Sequence, residues 1–455
     1  MSFARYPAYR DSGVEWLGQI PAHWEITPLK RLADFVNGDA FKPADWSESG
    51  IPIIRIQNLN GGDEFNYFDG TVEEKYLVRK GDLLFGWSGN RGTSFGPFLW
   101  SKEGTYVLNQ HIFRVVPFWS ENTDLYWILK AVTAHVEDQA HGIIGMVHVT
   151  KGALGSIKVP VPTPEEQAAI ATFLDQETAK IDALVAEQEK LIALLQEKRQ
   201  AVISHAVTKG LDPDAPMKDS GVEWLGEVPR HWEVLRIKQL ASFVGGGTPS
   251  RDMPEYWHGE IPWISPKDMK TEFVMDSKEH ITDAGLRSSV TSLIPAGSVL
   301  MVVRSGILKH TIPVAINQKP VALNQDMKAL LFDSSRLAAL FVLRFIQGLN
   351  DKLLLEWSKQ GATVESIEHE YLVNSLLPVP PISEQTTIVA HLDHVTAQLD
   401  DLMSEARTAI TLLQERRTAL ISAAVTGQID VRGLVRDAST PISIAASVCP
   451  STATG

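Results

Sequence analysis

Long stretches of the chain carry apolar side chains at alternating steps of three and four. Ile181, Leu184, Leu191, Leu195 and Val202 follow this spacing, interrupted by the polar Gln188 and Lys198. Leu399, Leu402, Ala406, Leu413 and Leu420 follow it again, with Arg416 standing where Lys198 stands. A 3.5-residue period is that of a helix packed along a seam against another helix. Ile192, Leu194, Ile410 and Leu412 lie beside these series and widen the apolar stripe. The first helix has a readable start: Thr163 as cap, Pro164 at the first helical position and Glu166 at the third, a capping-box pattern. Run to about Val207, it would be on the order of 65 Å long at 1.5 Å per residue.

Elsewhere the pattern changes to short apolar runs bounded by Gly, Asp and Asn. Residues 51–57, 81–86 and 111–116 read as strands, and 261–265, 298–303 and 327–331 follow them in the same order. Helical patterns come after each set, at 124–137 and 335–354. Two α+β globules are therefore predicted.

The two sets are joined by a repeat. Asp11-Ser-Gly-Val-Glu-Trp-Leu-Gly18 recurs letter for letter at Asp219–Gly226, and His23-Trp24-Glu25 recurs as His231-Trp232-Glu233. Leu174-Asp175 and Leu195-Gln-Glu-Lys-Arg199 return as Leu392-Asp393 and Leu413-Gln-Glu-Arg-Arg417. Between these matched blocks the halves barely resemble each other, so a constant frame surrounds a variable insert. The predicted fold is thus two α+β globular domains separated by two long antiparallel helices, an intramolecular coiled coil with pseudo-twofold internal repetition. A coil formed between two chains is the alternative. The predicted divisions are 1–160, first insert domain with its frame; 161–218, first helix and linker; 219–380, second insert domain; 381–430, second helix; and 431–455, a disordered tail rich in Ser, Thr, Ala and Pro.

Composition narrows the class. At 455 residues, with 44% hydrophobic and 21% charged residues, the chain reads as a soluble multidomain protein. Met1 to Gly13 has no apolar core of signal-peptide length, no stretch approaches a membrane span, and the single Cys449 excludes a disulfide framework, so a cytoplasmic location is expected. The net charge of −13 argues against avid nucleic-acid binding, yet residues 245–374 hold 13 Lys+Arg against 15 Asp+Glu, nearly balanced.

The Gly-Val-Glu-Trp-Leu-Gly…Pro-x-His-Trp-Glu frame, the Pro-x-x-x-Glu-Gln entry into each long helix and Thr426-Gly-Gln-Ile-Asp430 at its end resemble the specificity subunits of type I restriction–modification systems. Gly246-Gly-Thr-Pro-Ser-Arg251, Tyr256-Trp257, Ile261-Pro-Trp-Ile264, Arg304-Ser305-Gly306 and Asn324-Gln325-Asp326 look like the target-recognition domains of that family. In the first insert Ser88-Gly89 and Asn109-Gln110 fit, although Trp87 replaces the arginine found at Arg304. The resemblance implies a non-catalytic DNA reader whose two domains recognise the parts of an asymmetric, bipartite double-stranded site, the helices setting the gap. It implies two methyltransferase subunits and restriction/translocase subunits as partners. S-adenosylmethionine, ATP and Mg²⁺ would belong to those partners, with no cofactor, metal or membrane contact in this chain.

Base edges are read by Arg or Lys at guanine and Asn or Gln at adenine. The candidates in the first insert are Arg55, Gln57, Asn58, Ser88, Asn90, Arg91, Gln110 and His111; in the second, Thr248, Arg251, Ser265, Lys267, Arg304, Ser305, Lys309 and Gln325. Trp16, Trp24, Trp224 and Trp232 lie in the frame and are expected to pack inserts onto helices rather than stack on bases. Neither a phosphate loop nor the catalytic turn of an adenine methyltransferase is present. Acid-x-Lys triplets at Glu73, Asp268 and Asp326 are too cheap a pattern to argue for a nuclease, and His391 and His394 lack a third metal ligand. The competing class is a coiled-coil adaptor that binds only protein.

Overall fold

The computed structural model describes residues 3–139, 146–359 and 364–434. Four helices organise it: α1 (Asn122–Gln139), α2 (Pro164–Lys209), α3 (Ala339–Gly348) and α4 (Ile382–Val425). The chain forms two compact units, 1–187 with 408–455, and 188–407. Both boundaries fall inside the long helices α2 and α4, so each unit owns part of both. That differs from the sequential blocks drawn from the sequence, in which each helix stood alone.

In the first unit a four-stranded antiparallel sheet runs in the order Gly96–Leu99, Leu83–Gly86, Ile112–Pro117, Ala33–Asn37. A second sheet runs Asn66–Phe68, Ile51–Ile54, Thr105–Leu108, Leu77–Arg79, with Val107 opposite Ile53 in a parallel pair. The strand expected over 51–57 stops at Ile54, and Ile56–Leu59 turns into a single helical turn. In the second unit Ala241–Gly245, Met327–Phe332, Val299–Val302, Val314–Asn317 and Phe273–Val274 make one sheet. Trp257–Ile264 pairs in parallel with Ala322–Leu323 and antiparallel with His280–Ile281. Each unit is α+β. The helix expected over 335–354 is broken at Leu349 into α3 and a second short helix, Asn350–Trp357.

The long helices start and pair as physical rules require. Thr163 Oγ1 accepts from the Glu166 amide while Glu166 Oε2 accepts from the Thr163 amide, completing the capping box. In the first unit Ile170, Phe173 and Leu174 near the start of α2 share a core with Leu420, Ala424 and Val425 at the end of α4. In the second, Ile203 and Val207 at the end of α2 share one with Ile388 and Leu392 near the start of α4. Start meets end in each case, the antiparallel sense.

The seam itself lies in a different frame from the one predicted. Its buried or half-buried members are Leu174, Thr178, Ile181, Val185, Gln188, Ile192, Leu195, Arg199 and Val202 on α2, all at three/four steps. On α4 they are Leu392, Thr396, Leu399, Met403, Ala406, Ile410, Leu413, Arg417, Leu420 and Ala424. Leu184, Leu191 and Leu402, expected to pair, are exposed. Ile181, Leu195, Val202, Leu399, Leu413 and Leu420 do face inward. The seam includes two arginines, each met by an acid of the other helix: Arg199 Nε lies 3.1 Å from Asp400 in the second unit, and Arg417 Nε 3.5 Å from Asp182 in the first. An arginine's aliphatic stem can pack as an apolar residue while its head reaches the rim, which is why an apolar-only reading of the period chose the wrong leucines.

Val431, the first residue of the expected disordered tail, is instead fully buried in the first unit's core. The rest of that expectation, 435–455, lies outside the described residues. Among the described residues no helix is long and apolar enough to cross a membrane.

Candidate nucleic-acid interface

The same junction holds the variable part in both units. Trp24 is buried, and its indole Nε1 donates to Glu166 Oε2 at 2.9 Å; His23 Nε2 sits 2.9 Å from Glu166 Oε1. In the second unit Trp232 Nε1 donates to Glu384 Oε1 at 3.1 Å and His231 Nε2 is 2.8 Å from Glu384 Oε2. Burial alone would raise the pKa of Glu166, but bonds from His23, Thr163 and Trp24 outweigh it and hold the carboxyl below its usual range. Trp24 and Trp232 thus lock the frame to the helix entry, packed in the core rather than presented for base stacking.

A second shared device brings the reading loops together. A Cβ on Gly38 would meet the Asn109 and Leu108 carbonyl oxygens at 2.3 Å, and one on Gly246 would lie 1.9 Å from the Asn324 oxygen. Only glycine lets the first strand of each sheet pass against its Asn-Gln loop. In the first unit Arg55, Gln57, Gln110 and His111 then line one cavity of about 300 Å³ with Phe41 and Trp46. The Arg55 guanidinium lies 5.0 Å from the Trp46 ring centroid and donates to Asn66 Oδ1 at 2.8 Å. Strand Ser88–Asn90 reaches the same face through Trp87, whose Nε1 donates to the Gln110 carbonyl at 3.0 Å.

In the second unit Thr248 donates its hydroxyl proton to Gln325 Oε1. Arg251 lies 4.0 Å from the Trp257 ring centroid and 5.3 Å from that of Trp263, whose Nε1 donates to Gly247 O. Glu279 accepts from Arg251 at 3.0 Å, and that bond is the chief reason its pKa lies below the ordinary value. Arg304 Nε sits 3.0 Å from Asp326, next to Gln325. A stacked, bonded guanidinium has lost most of its rotamer freedom before any ligand arrives.

Not every candidate is free to read a base. Asn58 is buried: its Oδ1 accepts from the Arg55 amide and its Nδ2 donates to the Gly62 and Glu64 carbonyls, so it shapes the loop. The Ser265 hydroxyl is spent on Asp268, the Ser305 hydroxyl accepts from the Ile307 amide, and the Ser88 hydroxyl faces Met146 Sδ. Gln57, Asn90, Arg91, Gln110, His111, Thr248, Arg251, Lys267, Arg304, Lys309 and Gln325 are exposed, and Arg55 is half-exposed. The platforms Trp46, Trp257 and Trp263 were missed; the signal was an aromatic residue within twelve positions of a candidate arginine. His258 was not among the candidates. It is exposed, at φ 62° in the left-handed region, where the Trp257–Ile264 strand shifts register.

Two matched α+β units, each turning a polar, arginine-bearing loop cluster outward from a constant frame, define a duplicated recognition protein. Residues 21–193 and 229–412 match the type I restriction modification DNA specificity domain, and the chain belongs to that family. The Escherichia coli type I restriction enzyme EcoR124I/EcoR124II specificity subunit is 33% identical over 267 residues, 57% of this chain and 60% of that relative. The EcoBI specificity subunit, also from Escherichia coli, is 22% identical across 92% of this chain and 89% of its own length. Among solved structures, a chain from a study of complex assembly and conformational transition of the type I R-M system superposes with a TM-score of 0.63 at 16% identity, covering 89% of this chain and 98% of its own. The HsdS subunit from Thermoanaerobacter tengcongensis gives 0.51 at 15% identity, covering 90% and 98%. Those two likenesses support the fold.

Proposed function

We propose that the chain supplies sequence specificity to a type I restriction–modification complex, each unit reading one part of an asymmetric, bipartite site in double-stranded DNA. The observation that carries this is the pairing of matched frames with dissimilar outward loops, each loop presenting an arginine stacked on tryptophan beside a glutamine. Constant frames keep two readers equivalent in posture; dissimilar loops make the half-sites differ. The recognition domains lie within 1–160 and 219–380, and the exposed candidates named above, with Arg55, make the contacts. Two methyltransferase subunits and the restriction/translocase subunits supply catalysis and bind S-adenosylmethionine, ATP and Mg²⁺, in the cytoplasm. The tandem helices act as the ruler between half-sites.

Methylome sequencing of cells carrying this gene with its methyltransferase partner, against cells lacking it, tests the reading. One split, asymmetric methylated motif that needs this gene is expected. A methylome indifferent to the gene, with no salt-dependent duplex binding by the reconstituted complex, would leave the protein-only adaptor as the answer.

A further inference from the structure

The internal repeat lets one unit serve as the reference for the other where the insert helix meets the long helices. Asp175 and Asp393 occupy equivalent places in the repeat. Asp175 accepts from Trp127 Nε1 at 3.0 Å, and Asp393 accepts from Arg344 Nη2 at 2.7 Å. Trp127 on α1 and Arg344 on α3 are therefore counterparts. Three residues further along stand Lys130 and Gln347, and the repeat also equates Arg417 with Arg199.

In the second unit these positions surround a carboxylate. Glu272 accepts from Arg344 Nη1 and, at 3.0 Å, from Gln347 Nε2. Burial would raise its pKa, but those bonds and the nearby Arg199 charge hold it down. Two cations (Arg199, Arg344) thus face three acids (Glu272, Asp393, Asp400). In the first unit the matching place is a cavity of about 490 Å³ lined by Lys130, Arg417, Trp100, Tyr126, Asp175 and Asp182 among others. Two cations face two acids there; one carboxylate is missing.

Trp100 Nε1, on the cavity wall, is buried with no hydrogen-bond partner among the described residues. Arg417 meets Asp182 only at 3.5 Å. Burial, then the Arg417 charge, pulls the Lys130 ammonium down to about 8, and its Nζ lies 5.6 Å from the Phe98 ring centroid and 5.3 Å from that of Tyr126.

We propose that this cavity is a binding site for a small oxyanion ligand, a carboxylate or phosphate group held by Lys130 where its counterpart Gln347 bonds Glu272, with Arg417 adding positive charge as Arg199 does in the other unit. The aromatic wall of Trp100 and Tyr126 gives the rest of such a ligand an apolar face. Two like charges that destabilise each other gain most from a shared counter-anion.

Isothermal titration of the full chain with sodium phosphate, and separately with sodium acetate, against sodium chloride at equal ionic strength, tests this. One saturable site per chain is expected for at least one of the two oxyanions, and the arm that binds names the chemistry. K130M keeps the apolar stem and should weaken that site at least tenfold. Heat indistinguishable from chloride, or a site unchanged in K130M, overturns the proposal. Should K130M fail to fold, E272A answers instead: it empties the second unit's place, so the oxyanion stoichiometry should rise from one to two. A stoichiometry unmoved by E272A counts against the site.

Discussion

Replacing Glu166 by alanine should destabilise the first unit far more than Glu384→Ala destabilises the second, although the two glutamates are repeat partners. The Glu166 side chain is 4% exposed and takes hydrogen bonds from Trp24, His23 and the Thr163 amide. Leaving the buried indole unpartnered costs about 1–3 kcal/mol. Losing half of the capping box costs about 1 kcal/mol more, and the half-exposed His23 adds little. The total is about 3 kcal/mol, or roughly 6–12 °C in the melting of a unit of this size. At the twin site Pro381 stands where Thr163 stands and has neither amide hydrogen nor hydroxyl to close a box. The Glu384 side chain is 29% exposed, so water can replace it at Trp232, and about 1 kcal/mol is expected. Hydrogen exchange read by mass spectrometry separates the units: peptides spanning 20–30 and 163–175 should lose protection in E166A, and those spanning 228–240 and 381–392 should change less in E384A. Equal losses, or a larger one in E384A, would refute the reasoning.

Because Glu166 is held below its ordinary pKa, its contribution is complete above the unfolded value, about 4.3, and is lost as pH falls through the folded one; E166Q should flatten that stretch of the acid-denaturation curve. Leu195→Ala, at a buried seam position, should cost about 2–4 kcal/mol, whereas Leu184→Ser, Leu191→Ser and Leu402→Ser, at exposed ones, should each stay within about 0.5 kcal/mol in urea unfolding. Arg251→Ala should relax the methylated motif at one base position, with about 1–3 kcal/mol lost in discrimination, while Lys267→Ala should weaken all sequences alike and lower the salt slope by about 1, both read by binding to duplexes in graded salt.

The sequence showed the architecture because its signals were local or repeated. Thr163, Pro164 and Glu166 marked a helix start that the structure keeps, and the doubled frame announced two equivalent units. The seam was misread for a definite reason. Stepping 181, 184, 188, 191, 195 or 181, 185, 188, 192, 195 gives the same period, and the first path collects more leucine. The path the structure takes brings Arg199 and Arg417 into the seam opposite acids, which no apolar count can see. Asn58 was misread similarly: its residue type suits adenine, but three backbone groups of its own loop claim it first. Stacking of Arg251 on Trp257 and Trp263 depends on a strand bulge and on pairing across the sheet, both non-local.

The division of the long helices between units bears on how the protein is made. Everything in the second unit lies in one continuous stretch, 188–407, so it can close while the chain is still on the ribosome. The first unit is emitted early but needs Leu420, Ala424, Val425, Ile429 and Val431 to cover its core. At about 5–20 residues per second it waits about 12–50 s, half-built, for the last helix. The later-born half is therefore the first to finish, and the nascent amino-terminal half is where a chaperone would be needed.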